Sequence, residues 1–563
     1  MNTSTQLQQL FTDHWEAWMR WDPLFATQCG DHRYNDRLPT MTDSAIQNWR
    51  EHLIAFRERQ RTIDRGALAP SETLDYDIFA RLLDNEIAEL GYPVYRVLLT
   101  KSGGFHLFFP DLHLLTPFNN LQDYENYIAR LAALNQYFQD AIEMMRLGLQ
   151  TGCQPPRVTL EGIVESLQPH LTENPEHSIF YQPCENFPAS VDDSQKPRLM
   201  KELQTAIRNS VVPAYRTLLE FIQTEYLPSA REAIAAAEFP DGRAFYQHRI
   251  RYFTTLDLTP EAVHQTGLGE VHRIRAEMET IIRETGFTGN FRAFIQFLRT
   301  DPRFYAPSPD QLLKETAYVL KRIDGELPRL FKTLPRLPYG IRAIPDFSAP
   351  GNTTAYYQPG AGDSTRAGTY YVNTYDLKSR PLYEIEALSL HEAVPGHHLQ
   401  IAMQQELGNL PNFRRFSGFT AFVEGWALYA EHLGLEMGFY TDPYSNFGRL
   451  SYEMWRACRL VVDTGMHTLG WTRQQAIDFM AENTSSTLLN ITNEVDRYIG
   501  WPGQALAYKI GELKIRELRA LTEIKLGNRF DRREFHDLLL GSGAVSLDVL
   551  EMLTHAWIEK QLE

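Results

Sequence analysis

Apolar side chains recur along this chain with the period of a helix. Leu7, Phe11, Trp15 and Trp18 share one face, as do Ile46, Trp49, Leu53 and Phe56, the three-to-four-residue spacing of amphipathic helices. A longer stripe runs through Tyr124, Ile128, Leu131, Leu134, Phe138, Ile142 and Met145, with Gly148 as its expected stop. Helix starts are marked too. Thr259-Pro260-Glu261 offers an N-cap, a proline at the first helical position and an acid that complements the helix dipole. Ser308-Pro309-Asp310-Gln311, Thr472-Arg473-Gln474-Gln475 and Asp531-Arg532-Arg533-Glu534 read as capping boxes or near variants. Gly91 ahead of Pro93, and Gly527 after Leu526, read as stops.

The helical period breaks from about 337 to 375, where prolines and glycines lead into Gly368-Thr369-Tyr370-Tyr371-Val372-Asn373-Thr374. That β-branched and aromatic stretch predicts a strand or two. The expected fold class is therefore mostly α, with a small β-sheet just ahead of the strongest chemical motif. A lobe boundary near 237–243 divides the chain into an N-terminal helical lobe, 1–240, and a catalytic lobe, 241–563.

The motif is His391-Glu392-Ala393-Val394-Pro395-Gly396-His397-His398. Zinc takes imidazole nitrogens and carboxylate oxygens, and a catalytic site keeps one position open for water. In the common HExxH helix the two histidines stand one turn apart and the glutamate is the base. Here the residue four beyond His391 is Pro395, and the next histidines come six and seven positions on. Six positions on a regular helix leave side chains roughly 120° apart, and seven separate the backbones by about 10 Å. Pro395 and Gly396 predict a kink or a two-residue bulge, which favours His397 as the second ligand with His398 as the alternative. The third ligand is expected from Phe422-Val423-Glu424-Gly425, with Gly425 allowing close helix approach and Glu431 available to orient a ligand histidine.

Tyr498 and Tyr508 are candidate donors to a tetrahedral oxyanion. The strand carrying Tyr371 and Asn373 is a candidate for pairing with an extended substrate, or else a structural hairpin. Arg366, Arg497 and Lys509 are candidate partners for a substrate carboxylate, and the histidine not used by the metal is a candidate substrate contact. His467 is read as either a site residue or a satisfied core histidine.

Composition narrows the picture. Hydrophobic residues make up 43% of the 563 positions, enough for a large core. A net charge of −16 makes nucleic acid an unsuitable partner. No apolar run approaches membrane-spanning length, and the first residues show neither a basic nor an apolar leader segment. Four scattered cysteines fit a reducing cytoplasm, so the expectation is a cytoplasmic protein without membrane partners.

HEAVPGHH (391–398), FVEGWALYAE (422–431), RLVVDTGMHTLGW (459–471) and RYIGWPGQALAYKIG (497–511) resemble the bacterial family known as domain of unknown function 885. That family is in turn distantly similar to gluzincin metallopeptidases such as angiotensin-converting enzyme and thimet oligopeptidase. The resemblance implies a two-lobed helical fold with a deep central channel, His391 and Glu424 as ligands, Glu392 as base, and a downstream tyrosine at the oxyanion. The function so implied is zinc-dependent hydrolysis of small peptides, in oligopeptidase or carboxypeptidase fashion. The alternatives are a zinc amidohydrolase of non-peptide or modified small molecules, and a catalytically silent peptide-binding protein.

Overall fold

The tryptophan-bearing stripe at the start of the chain becomes helix α1 (Thr3–Trp21), capped by Asn2, whose side chain accepts from the Thr5 N–H. Its Leu7, Leu10, Phe11 and Trp15 are buried. The second stripe becomes α2 (Asp43–Arg61), capped by Thr42. The long stripe becomes α3 (Leu121–Gln150). It runs through Gly148 rather than stopping there, and Thr151 caps it by donating to the Leu147 and Gly148 carbonyls. Gly148 serves packing instead: a Cβ there would lie 3.1 Å from the Cβ of Arg96.

The computed structural model describes residues 2–346, 349–363 and 365–563. The chain forms two compact units. The first comprises 1–233 with 239–241 and 361–363, and the second comprises 234–238, 242–360 and 364–563. Short segments thus cross the 240/241 division drawn from the sequence. The structure is mostly helical with small sheets, and no helix among the described residues is long and apolar enough to cross a membrane.

The second unit is organised around charge as well as apolar burial. Helix α4 (Pro260–Glu284) starts at the expected Thr259 cap. It is followed by strands β1 (Tyr339–Ala343), β2 (Ala355–Gln358) and β3 (Gly368–Val372). The sheet order is β1-β3-β2, with β1 parallel and β2 antiparallel to β3. Next come α5 (Ile385–Glu392), α6 (His397–Glu406), α7 (Thr420–Leu433), α8 (Pro443–Thr468), α9 (Leu488–Gly500) and α10 (Ala507–Leu526). Helix α8 is buried along almost its whole length and carries Glu453, Arg456, Arg459 and Asp463 into the interior. Buried charges need partners: Glu453 finds them on α4 and α10, Arg456 on α7 and Arg459 on α9, while Asp463 accepts from the Tyr246 hydroxyl and the Gly503 N–H.

Two of the expected substrate contacts are structural. Lys509 is fully buried, bonded to Glu453 and Glu512 at 2.8 Å and to Glu270 at 3.0 Å, so its charge ties α10 to α8 and α4. The Asn373 amide is buried and donates to the Ala349 and Thr353 carbonyls at 2.9 Å, which pins the turn leading into β2. The strand forms as expected, and of its two readings the pairing with an extended substrate is the one that needs correcting. β3, which carries Tyr371, lies between two neighbours and has its backbone committed on both sides, and the Tyr371 ring stacks on Tyr356 at 4.9 Å. An added strand cannot pair there. β1 and β2 are the outer strands.

Candidate metal centre

Helix α5 delivers His391 and Glu392 on its last turn and ends with Ala393 out of helical geometry. The expected bulge within one helix is instead a full break, and α6 begins at His397. Pro395 brings no N–H to continue the ladder. Gly396 passes so close beneath α5 that a Cβ would lie 1.9 Å from the His391 carbonyl oxygen and 2.4 Å from that of Leu390. Trp426 of α7 fixes the turn by donating its indole N–H to the Pro395 carbonyl at 2.8 Å. The break brings His397 back toward His391, their ring centroids 4.8 Å apart and nearly perpendicular.

Glu424 of α7 completes the set. One ligand atom each from His391, His397 and Glu424 lies within 4.8 Å of the others. Glu424 Oε2 stands 3.7 Å from His391 Nε2 and 3.3 Å from His397 Nε2, yet it is buried and makes no hydrogen bond. An orphaned carboxylate oxygen facing two imidazole nitrogens fits a divalent cation better than a hydrogen-bonded network. Burial alone would disfavour the Glu424 charge, but the adjacent His397 and His391 hold its carboxyl well below the usual range. Burial likewise opposes charge on His391, and the Glu424 and Glu431 carboxylates outweigh it, raising the ring to about 9. A metal ion entering this set therefore displaces a proton.

Glu431, one further helical stretch along α7, accepts from His391 Nδ1 at 2.7 Å and is itself held by Arg456 at 3.2 Å. A proton on Nδ1 leaves the Nε2 lone pair facing the centre. His398 points elsewhere. Its Nδ1 meets the Tyr357 hydroxyl at 2.9 Å and its ring lies 4.7 Å from that of Tyr339, and burial lowers its pKa to about 4. A neutral His398 thus locks the sheet to α6.

Helix α7 can present Glu424 only because it lies directly against α10. A Cβ on Gly425 would sit 2.4 Å from the Gly511 carbonyl carbon and 2.5 Å from its Cα. These are backbone atoms and cannot swing aside. Gly425→Ala is expected to force the helices apart at a cost of about 1–3 kcal/mol, lowering the calorimetric melting temperature and loosening metal retention. A variant that melts and binds metal like the parent would show that this contact is dispensable.

The three candidate ligands line a cavity of about 260 Å³ together with Glu392, Thr353–Tyr357, Arg456, Arg459, Arg497 and Tyr508. Tyr508 is in place, its ring 6.4 Å from that of His391 and nearly parallel to it. Its hydroxyl accepts from Gln504 at 3.3 Å. Tyr498 is not in place. It is buried behind the cavity wall, its oxygen accepting from Trp455 at 2.9 Å and Arg459 at 2.8 Å. Arg366 is also absent from the lining, donating to the Pro359 carbonyl at 3.0 Å, while Arg497 belongs to it. His467 is a core residue, with Nδ1 accepting from the Ala236 N–H at 3.0 Å and Nε2 3.1 Å from the Tyr498 carbonyl oxygen. Sequence reasoning missed Arg456, Arg459 and Glu494. The available signal was a pair of arginines three apart inside the apolar run of α8, which a buried helix tolerates only with partners.

The family model for a bacterial protein of unknown function, DUF885, matches residues 23–553. This chain belongs to that family. Two solved structures are similar to this DUF885 protein. One, described as a putative lipoprotein from Colwellia psychrerythraea, is 29% identical with a TM-score of 0.93 over all of both chains. The other, described as a putative lipoprotein of unknown function from Shewanella oneidensis, is 18% identical with a TM-score of 0.68 over 98% of this chain and 99% of its own. No curated protein matches. The expectation of a cytoplasmic protein is overturned by these neighbours, since lipoproteins are held at membranes by attached lipid. Four free cysteines are as compatible with that setting as with a reducing one, and so carried no weight.

Proposed function

We propose that this DUF885 protein is a zinc-dependent hydrolase of peptide bonds in small peptides, with a metallopeptidase-like catalytic unit. The observation that carries the reading is the convergence of His391, His397 and Glu424 in one cavity with an uncommitted Glu424 oxygen and with Glu392 in the same wall. Two imidazoles and one carboxylate are the ligand chemistry of catalytic zinc. Bound there, the ion supplies Lewis acidity, bringing the pKa of a water toward about 7 and polarising a carbonyl.

The chain's own groups supply the rest. Glu392 takes the proton of the attacking water and returns it to the departing nitrogen. Tyr508 donates to the oxygen on which negative charge develops. Burial, and then the nearby Glu424 charge, raise the Tyr508 pKa, so the phenol keeps the proton it must donate. Its hydrogen bond from Gln504 occupies the oxygen lone pair and leaves that proton for the cavity. The outer strand β2 lies along the same wall and offers a backbone edge to an extended peptide.

Purified protein is expected to carry about one zinc per chain by elemental analysis, and a strong chelator should abolish cleavage of a mixed peptide library read by mass spectrometry. Stoichiometric metal absent, with cleavage indifferent to chelation, would remove the proposal.

A further inference from the structure

Three arginines stand in the cavity wall, Arg456 and Arg459 from α8 and Arg497 from α9. Their carboxylate partners do not balance them. Arg456 reaches Glu431 at 3.2 Å, a carboxylate already engaged by His391. Arg459 and Arg497 share one partner, Glu494, at 3.2 and 2.9 Å, which leaves one guanidinium charge in excess. Arg459 spends its Nε on the Tyr498 hydroxyl and its Nη2 on Glu494. Its Nη1 is buried and has no acceptor, and neither has Nε of Arg456. Arg459 is only 4% exposed. A buried, charged donor left unpaired is strongly unfavourable, and its presence beside a candidate catalytic centre calls for an anion.

We propose that Arg459, flanked by Arg456 and Arg497, is an anion subsite that receives a carboxylate of the substrate; this rests on the peptidase reading above. A single excess guanidinium charge matches a monoanion rather than a phosphate dianion, and a planar guanidinium matches a carboxylate in shape. Tyr508 gives the distance. Its ring is 6.4 Å from the His391 ring and 4.2 Å from the guanidinium carbon of Arg459. An extended peptide advances about 3.3–3.6 Å per residue, so the recognised carboxylate belongs to the first or second residue beyond the cleaved bond. Two sources share that chemistry: the C-terminal carboxylate of a short peptide, and an Asp or Glu side chain at the same place in a longer one.

The test uses an N-acetylated tetrapeptide library prepared both as free acids and as C-terminal amides. Retention on immobilised, zinc-loaded Glu392→Gln protein is read by mass spectrometry, and cleavage is read in parallel on the wild type. Acids are expected to be retained at least tenfold over amides of the same sequence. Selective recovery of amides that carry Asp or Glu in their last two positions would identify the side chain as the source. Arg459→Gln should bring the acid-to-amide ratio toward one, with Arg459→Lys keeping part of it. Should Arg459→Gln fail to fold by circular dichroism, the acid-to-amide ratio on the parent protein decides. Equal retention of acids, plain amides and acidic amides overturns the subsite, and the peptidase reading survives if all are still cleaved. Strong acid preference in a protein that cleaves nothing keeps the subsite and overturns the hydrolase.

Discussion

Glu392→Gln is expected to lower peptide cleavage by about 10²–10⁴-fold while metal content stays at the parent level. The glutamine amide is nearly isosteric and Glu392 is not among the three candidate ligands, so the centre should keep its shape. What disappears, among the described residues, is the only acid in the cavity wall other than the candidate ligand Glu424, and with it the group proposed to take a proton and give it back. Steady-state kinetics paired with elemental analysis separates the two effects. Turnover within a few-fold of the parent would take Glu392 out of the reaction, and loss of metal would make it a ligand.

The two adjacent histidines should separate completely. Neighbouring side chains on a helix diverge by about 100°, and here the divergence sends His397 to Glu424 at 3.3 Å and His398 to the Tyr357 hydroxyl at 2.9 Å. His397→Ala is expected to lose stoichiometric zinc, as His391→Ala would. His398→Ala should retain the metal, lose the tie between α6 and the sheet, and show its defect in rate. Equilibrium metal titration of both variants decides the matter. Zinc lost from His398→Ala and kept by His397→Ala would invert the assignment.

Much of this was legible in the sequence because the relevant rules are local. Caps at Thr259, Ser308, Thr472 and Asp531 form where a side chain can reach an N–H two or three residues on, and no tertiary contact is needed to see that. The spacing from His391 to Glu424 announced a separate helix for the glutamate, and Gly425 a close helix neighbour, although that neighbour is α10 rather than α5. The failures share one cause, which is that they depend on what lies across the fold. Lys509 and Asn373 resemble substrate contacts until Glu453 and the turn at 349–353 are seen to consume them. Tyr498 and Tyr508 sit ten residues apart with similar neighbours, and it takes Trp455 and Arg459 of α8 to cover the hydroxyl of the first. Nor can a strand-like sequence reveal whether it lies inside or at the rim of a sheet, which is why pairing with a substrate and a structural hairpin both stood open for the stretch that became β3.

That last distinction has a bearing on solubility. An outer strand with one free side is the part of a sheet most prone to recruit another polypeptide into unwanted intermolecular pairing. β2 is four residues long and partly buried, and the segment 353–357 lines a cavity rather than an open surface. A second folded molecule cannot bring a flat edge of its own into that recess, whereas a thin, single extended chain can. On the proposed peptidase function, the same recess would filter by thickness, taking in short flexible peptides while keeping the protein from adhering to itself.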